Sequence, residues 1–129
     1  MSLAIAVDHV SFMADDLDAS LAFYVDLLGC EPVPRPDFGF RGAWLQLGAA
    51  QVHLLERANP GERGAKSPSG FANHVAFSVP DYDETLDALR SRGLEVREGG
   101  SGIRQMFVHD PAGNVIELIE RRPIGTAAT

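Results

Sequence analysis

The feature that most constrains this chain is an internal repeat. When the 129-residue sequence is shifted by 65 positions, Asp8-His9-Val10-Ser11-Phe12 falls on Asn73-His74-Val75-Ala76-Phe77. Asp16, Asp18 and Leu21 fall on Asp81, Asp83 and Leu86 at the same shift. After a one-residue slip, Gly29 pairs with Gly93, and Val52-His53-Leu54-Leu55-Glu56 lies over Ile116-Glu117-Leu118-Ile119-Glu120. Self-similarity of this kind means two copies of one supersecondary unit. Between the copies, Arg57 to Ala72 gathers Pro60, Gly61, Gly64, Ser67, Pro68, Ser69 and Gly70, the composition of a connecting loop. The expectation is one domain made of two modules, about 4–57 and 72–121, joined by a Gly/Pro/Ser-rich loop at 58–71.

Each module reads alike. Ile5 to Met13 is β-rich; Asp16 then opens a helical segment in which Leu17, Leu21, Tyr24, Val25 and Leu28 recur at helical spacing, and Gly29 stops it. Strand candidates follow at Glu31 to Val33, Arg41 to Leu47 and Gln51 to Glu56, the last two joined by Gly48-Ala49-Ala50. In the second module Asn73 to Val79 is the strand, and Pro80 sits where a helix can begin. Asp81 to Arg92 carries Tyr82, Leu86 and Leu89 on one face before Gly93. Strands near Leu94 to Arg97, Ile103 to His109 and Asn114 to Glu120 complete a second βαβββ, with Asp110-Pro111-Ala112-Gly113-Asn114 as a strong turn signal.

Strand parity sorts the side chains. Val10 and Phe12 point one way and Val7, His9 and Ser11 the other; Val75, Phe77 and Val79 oppose Ala72, His74, Ala76 and Ser78. If the helices pack on the Val and Phe faces, His9 and His74 lie on the opposite side of their strands. On the last strand of each module, His53 shares a face with Gln51 and Leu55, and Glu117 with Val115 and Ile119. A pseudo-twofold then relates His9 to His74 and His53 to Glu117. Three imidazoles and one carboxylate at repeat-equivalent positions suit Zn, Ni, Co or Fe, with coordination positions left for water and substrate. An apolar strand interior would otherwise hold Glu117 unpaired at a cost of several kcal/mol. His109 has no counterpart in the first module and reads as a surface residue.

Charge and composition remove whole classes of function. Eleven Lys+Arg against 18 Asp+Glu give a formal charge of −7, and no basic stripe offsets it, so a nucleic-acid partner is not expected. Apolar runs stop well short of the roughly 18 residues of a membrane span, so no membrane partner is expected. Met1 to Val7 lacks the basic and apolar regions of a secretory leader, which makes the cytoplasm the expected location. The one cysteine, Cys30, cannot form an internal disulfide and reads as a small buried hydrophobe.

Several runs taken together resemble the vicinal oxygen chelate superfamily. They are Asp8-His9-Val10-Ser11-Phe12, Phe23-Tyr24 with Leu27-Leu28-Gly29, Val52-His53-Leu54, Asn73-His74-Val75-Ala76-Phe77, and Asp110-Pro111-Ala112-Gly113-Asn114-Val115-Ile116-Glu117-Leu118. That superfamily includes glyoxalase I, methylmalonyl-CoA epimerase, extradiol dioxygenases, and the fosfomycin and bleomycin resistance proteins. The resemblance runs from about Ile5 to Arg121. It implies an α+β fold of two tandem βαβββ modules forming an open, cup-shaped eight-stranded mixed sheet. It also implies a divalent metal held at the positions of His9, His53, His74 and Glu117, and a homodimer. In glyoxalase I the position of His53 is usually Glu and in the epimerase Gln, so the His departs from both.

The chemistry that such a site implies is metal-dependent lyase or isomerase action on a small substrate with vicinal oxygens, through an enediolate-type intermediate. Glu117 is then the candidate proton carrier. Two alternatives stand beside this: an Fe(II) extradiol-type dioxygenase using His9, His74 and Glu117 as a facial triad, and a metal-free antibiotic-sequestering protein of the bleomycin resistance kind. For substrate contacts the reading nominates Phe40, Trp44 and Gln46 in the first module and Arg104 and Met106 in the second.

Overall fold

The first strand begins at His9, where pairing with Gln51 opens the ladder. In the computed structural model, which describes residues 3–4, 6–56, 73–100 and 102–121, β1 (His9–Ala14) pairs in parallel with β4 (Ala50–Glu56), from His9↔Gln51 to Ala14↔Glu56. Residues 6–8, expected in this strand, lie ahead of the ladder. Antiparallel pairing then adds β3 (Gly42–Leu47) to β4 and β2 (Glu31–Val33) to β3, giving the order β1-β4-β3-β2. Gly42 is needed there. A Cβ at that position would come 2.4 Å from the carbonyl oxygen of Leu54, a backbone atom that cannot yield.

The second unit repeats the plan with β5 (His74–Val79), α2 (Tyr82–Ser91), β6 (Arg97–Glu98), β7 (Gln105–His109) and β8 (Val115–Glu120), in the order β5-β8-β7-β6. The eight strands thus form two four-stranded mixed sheets, one in each of two units, Met1–Arg63 and Gly64–Thr129. β6 falls later than expected and is short, because only Arg97 and Glu98 find partners on β7. The joining loop at 58–71 lies outside the described residues.

One helix in each unit covers one face of its sheet. In the first, α1 (Leu17–Leu21) continues into a π-helical segment, Ala22–Leu27, whose widened turn the amphipathic spacing does not foretell. Phe23 and Tyr24 from this segment are buried, and Tyr24 stacks on Phe12 at 5.8 Å. Val52, Leu54 and Leu45 complete the apolar layer, each 1% exposed or less, with Cys30 also buried. In the second unit Leu89, Met106, Val108, Ile116 and Leu118 form the equivalent layer. Burying each of these side chains is worth about 1.5–3 kcal/mol, which commits each sheet to one inward face.

Both helix starts use the same device. Asp16 caps α1 by accepting from the Ala19 N–H at 3.1 Å, and Asp81 caps α2 by accepting from the Glu84 N–H at 2.9 Å. A second carboxylate comes from the last strand: Glu56 accepts from the Leu17 N–H at 3.4 Å and Glu120 from the Tyr82 N–H at 2.8 Å. An arginine then braces strand to helix. Arg41 reaches Glu56 and Asp18, both at 3.3 Å, and Arg104 reaches Glu120 at 2.9 Å and Asp83 at 3.2 Å.

The β7–β8 turn bears out its sequence signal. Buried Asp110 accepts from the Ala112 N–H, the Asn114 N–H and the Asn114 side-chain amide, at 3.0, 2.8 and 2.8 Å. Gly113 supplies the left-handed residue the turn requires, at φ 88°.

Candidate functional site

In the first unit, register places the polar residues. His9 sits opposite Gln51, Ser11 opposite His53, and His53 opposite Trp44, so these five side chains share the face away from the helix. Three rings stack across three strands there: His9 on His53 at 3.9 Å and 15°, and His53 on Trp44 at 4.4 Å and 7°. His53 is buried, and a chain of amides holds its rim. Its Nε2 lies 2.8 Å from Gln51 Oε1, and Gln51 Nε2 donates to Gln46 Oε1 at 3.1 Å. An amide oxygen on Nε2 selects the tautomer protonated there and leaves Nδ1 as the acceptor nitrogen. His9 uses Nδ1 toward Asp8 at 2.9 Å, which leaves its Nε2. Burial first, then the neighbouring His9 and Arg35, pushes the His53 pKa below 6.5.

The same face carries a concavity of about 240 Å³ whose walls include Ser11, Arg35, Phe38, Phe40, Trp44 and His53. Its outer wall is a loop. Asp37 accepts from the Gly39 N–H at 2.8 Å, and Gly39 turns with φ 84°, which brings the Phe38 and Phe40 rings together at 6.1 Å. The Arg35 guanidinium carbon lies 4.9 Å from one ring centroid and 5.1 Å from the other, and Nη1 donates to the Phe40 carbonyl at 3.3 Å.

In the second unit the equivalent face joins His74 and Glu117. His74 Nε2 lies 3.0 Å from Glu117 Oε1, and Gln105 Nε2 donates to Glu117 Oε2 at 3.0 Å. Phe107 stands opposite Glu117 in the ladder and meets His74 edge-on at 5.8 Å. Glu117 is 8% exposed, so its carboxylate is largely removed from water yet hydrogen-bonded at both oxygens. His109 also belongs to this face: it pairs with Val115, as His74 does from the other side, and is half-buried rather than a surface residue.

The candidate ligands therefore occur as two pairs, His9 with His53 and His74 with Glu117. Among the described residues, no three His, Cys, Asp or Glu side chains group to hold a metal. In kind the donors fit a divalent transition ion: imidazoles, and a carboxylate already meeting one of them.

The substrate nominees divide. Phe40 and Trp44 wall the concavity, and Gln46 acts behind it through Gln51. Met106 is fully buried on the helix-facing side of its sheet, so it is core and does not line the Glu117 face. Arg104 is committed to Glu120 and Asp83 and lies 4.7 Å over the Tyr82 ring, on the same helix-facing side. It is the counterpart of Arg41, a brace and not a substrate contact. Phe38 and Arg35 also wall the concavity, Arg35 from outside the residues that the sequence brings forward. Their signal is the run Arg35-Pro36-Asp37-Phe38-Gly39-Phe40, in which two aromatics flank a turn glycine close to a cation.

Over most of its length the chain is similar to known proteins. The family profile described as Glyoxalase/Bleomycin resistance protein/Dioxygenase superfamily matches residues 6–118. Glyoxylase I 4 of Arabidopsis thaliana is 32% identical over 120 residues, covering 88% of this chain and 69% of that protein. An ethylmalonyl-CoA/methylmalonyl-CoA epimerase of Cereibacter sphaeroides is 29% identical over 127 residues, covering 87% and 95%. Among solved structures, a protein assigned to the glyoxalase family from Bacillus anthracis superposes with a TM-score of 0.75 at 28% identity, covering 95% of this chain and 99% of that one.

Proposed function

This chain belongs to the Glyoxalase/Bleomycin resistance protein/Dioxygenase superfamily, and from that membership we propose that it is a divalent-metal-dependent lyase or isomerase. Its substrate is a small molecule with vicinal oxygens, and its candidate metal ligands are His9, His53, His74 and Glu117. The observation that carries the reading is the contact of Glu117 with His74 at 3.0 Å, a buried carboxylate against an imidazole at the strand positions that the repeat matches to His53 and His9. Relatives named as a glyoxylase and an epimerase support the lyase or isomerase class.

A bound Zn, Ni, Co or Fe ion would supply positive charge that stabilises an enediolate-type anion by several kcal/mol. The chain's own residues do the rest. Glu117 takes the proton from the carbon beside the carbonyl and returns it to the neighbouring atom, so its carboxylate must stay basic and correctly aimed. Gln105 holds Oε2 by its amide N–H and leaves Oε1 turned toward His74. Trp44 and His9 clamp the His53 ring between them, while Gln51 selects its tautomer. A second copy of the chain is the expected partner.

The deciding experiment is metal analysis of protein purified without chelator, followed by uptake of Zn, Ni, Co or Fe(II). Stoichiometric binding that His74→Ala abolishes is the expected result. No uptake of any of the four would overturn the reading in favour of a metal-free binding protein. Oxygen consumption with catechol after anaerobic Fe(II) loading would redirect it to ring cleavage.

A further inference from the structure

The concavity in the first unit has a cation, Arg35, in its wall. Arg41, Arg90 and Arg104 each meet a carboxylate within 3.3 Å, whereas among the described residues no carboxylate pairs with Arg35. The Arg35 guanidinium is held by the Phe38 and Phe40 rings and by one bond to the Phe40 carbonyl, which leaves most of its five N–H donors uncommitted by that bond. A planar, pre-set fork of this type matches a carboxylate. Around it the surface is flat and apolar: Phe38 and Phe40 are 53% and 47% exposed, and Phe38 stands 6.1 Å from Trp44. The volume, about 240 Å³, lies below the roughly 300–1,000 Å³ of pockets for drug-sized ligands, so the occupant is small.

We propose that Arg35, with Phe38, Phe40 and Trp44, forms a recognition site for a small organic carboxylate carrying a flat apolar group. The carboxylate lies on Arg35, and the ring or flat chain lies along the aromatic wall. The remaining end of the molecule then points toward His53 at the other side of the recess. Binding by these four residues stands on its own; that the bound molecule is the substrate rests on the lyase or isomerase reading above. Arg35 is on that view a specificity-determining residue, which selects the anionic substrate without moving a proton.

Trp44 is the only tryptophan of the chain, so its fluorescence reports on this recess alone. The test titrates chelator-dialysed protein with benzoate, with its uncharged isostere benzamide, and with the flexible acid hexanoate. Saturable quenching by benzoate, with at least tenfold weaker binding of benzamide and of hexanoate, is expected. Arg35→Gln should weaken benzoate at least tenfold and leave benzamide unchanged, while Arg35→Lys restores part of the benzoate affinity. A Phe38→Leu variant, which keeps the charge, should erase the preference for benzoate over hexanoate. Equal affinity for benzoate and benzamide, or an Arg35→Gln variant that binds benzoate as the parent does, would overturn the proposal. Failure of metal uptake with benzoate binding intact would overturn the lyase reading and leave the recess standing; metal uptake without benzoate binding would do the reverse.

Discussion

The imidazole of His53 lies flat against the indole of Trp44, with centroids 4.4 Å apart and planes within 7° of parallel. Two neighbouring strands impose this contact, because the residues stand directly opposite in the β3–β4 ladder. A titrating ring is thereby coupled to the one tryptophan of the chain.

Protonation of His53 should therefore be visible in Trp44 emission. Burial and the nearby positive groups hold its folded pKa below 6.5. The unfolded chain takes up the proton first as pH falls, so the stability this ring contributes is present above pH 6.5 and is lost as pH drops through the folded value. The expected result is an emission change centred below pH 6.5 that His53→Gln abolishes, with a shallower acid slope of urea midpoints in the variant. A parent and variant with the same slope would refute it.

Gln51 touches His53 but holds no proposed ligand position, so Gln51→Ala should act only through ring orientation. Loss of a partner that orients a ligating histidine typically costs about 10–100-fold in metal affinity. Cobalt titration followed by absorbance checks this, and circular dichroism should show an unchanged fold.

Tyr82 is buried and its hydroxyl donates to Glu98, which together push its pKa up to about 12. Because the folded value lies above the unfolded one near 10, this contribution is complete below pH 10 and disappears as pH rises toward 12. Ultraviolet difference titration should show a phenolate transition near 12 that is missing in Tyr82→Phe. The parent's stability should also fall more steeply than the variant's across that interval.

Asp110→Ala removes the acceptor for two backbone N–H groups and one side-chain amide in a buried turn. Stranding such donors costs about 1–3 kcal/mol each, so a loss of at least about 3 kcal/mol is expected in urea unfolding. Asp110→Asn, which retains an acceptor, should recover part of it. An Ala variant as stable as the parent would show that the turn is held by other means.

Much of this architecture was legible because the signals were periodic. The repeat placed His9 over His74 and His53 over Glu117, and two-residue alternation put all four opposite the Phe12 and Phe77 faces before any register was known. Asp16 and Asp81 marked both helix starts for the same reason, an acceptor ahead of an amphipathic run. Alternation also explains the misplacements: Arg104 and Met106 share one parity and Gln105 and Phe107 the other, and choosing the wrong set exchanges core for open face. Arg35 and Phe38 lie in a loop, where no period exists. Their juxtaposition depends on a glycine turn that brings separated rings together, a relationship in space and not in spacing.

The π-helical stretch of the first unit carries a consequence for how the two halves tolerate unequal length. From the capping aspartate to the terminating glycine there are 13 steps in one half, Asp16 to Gly29, and 12 in the other, Asp81 to Gly93. In a strand, one surplus residue would turn every following side chain to the opposite face. In a helix it is swallowed as a single widened turn. The surplus residue is thus confined to the element whose local geometry is most forgiving, upstream of the ladder that carries His53. Length variants that add or remove one residue within Ala22–Leu27 should keep that ladder in frame, whereas the same change within β4 should not.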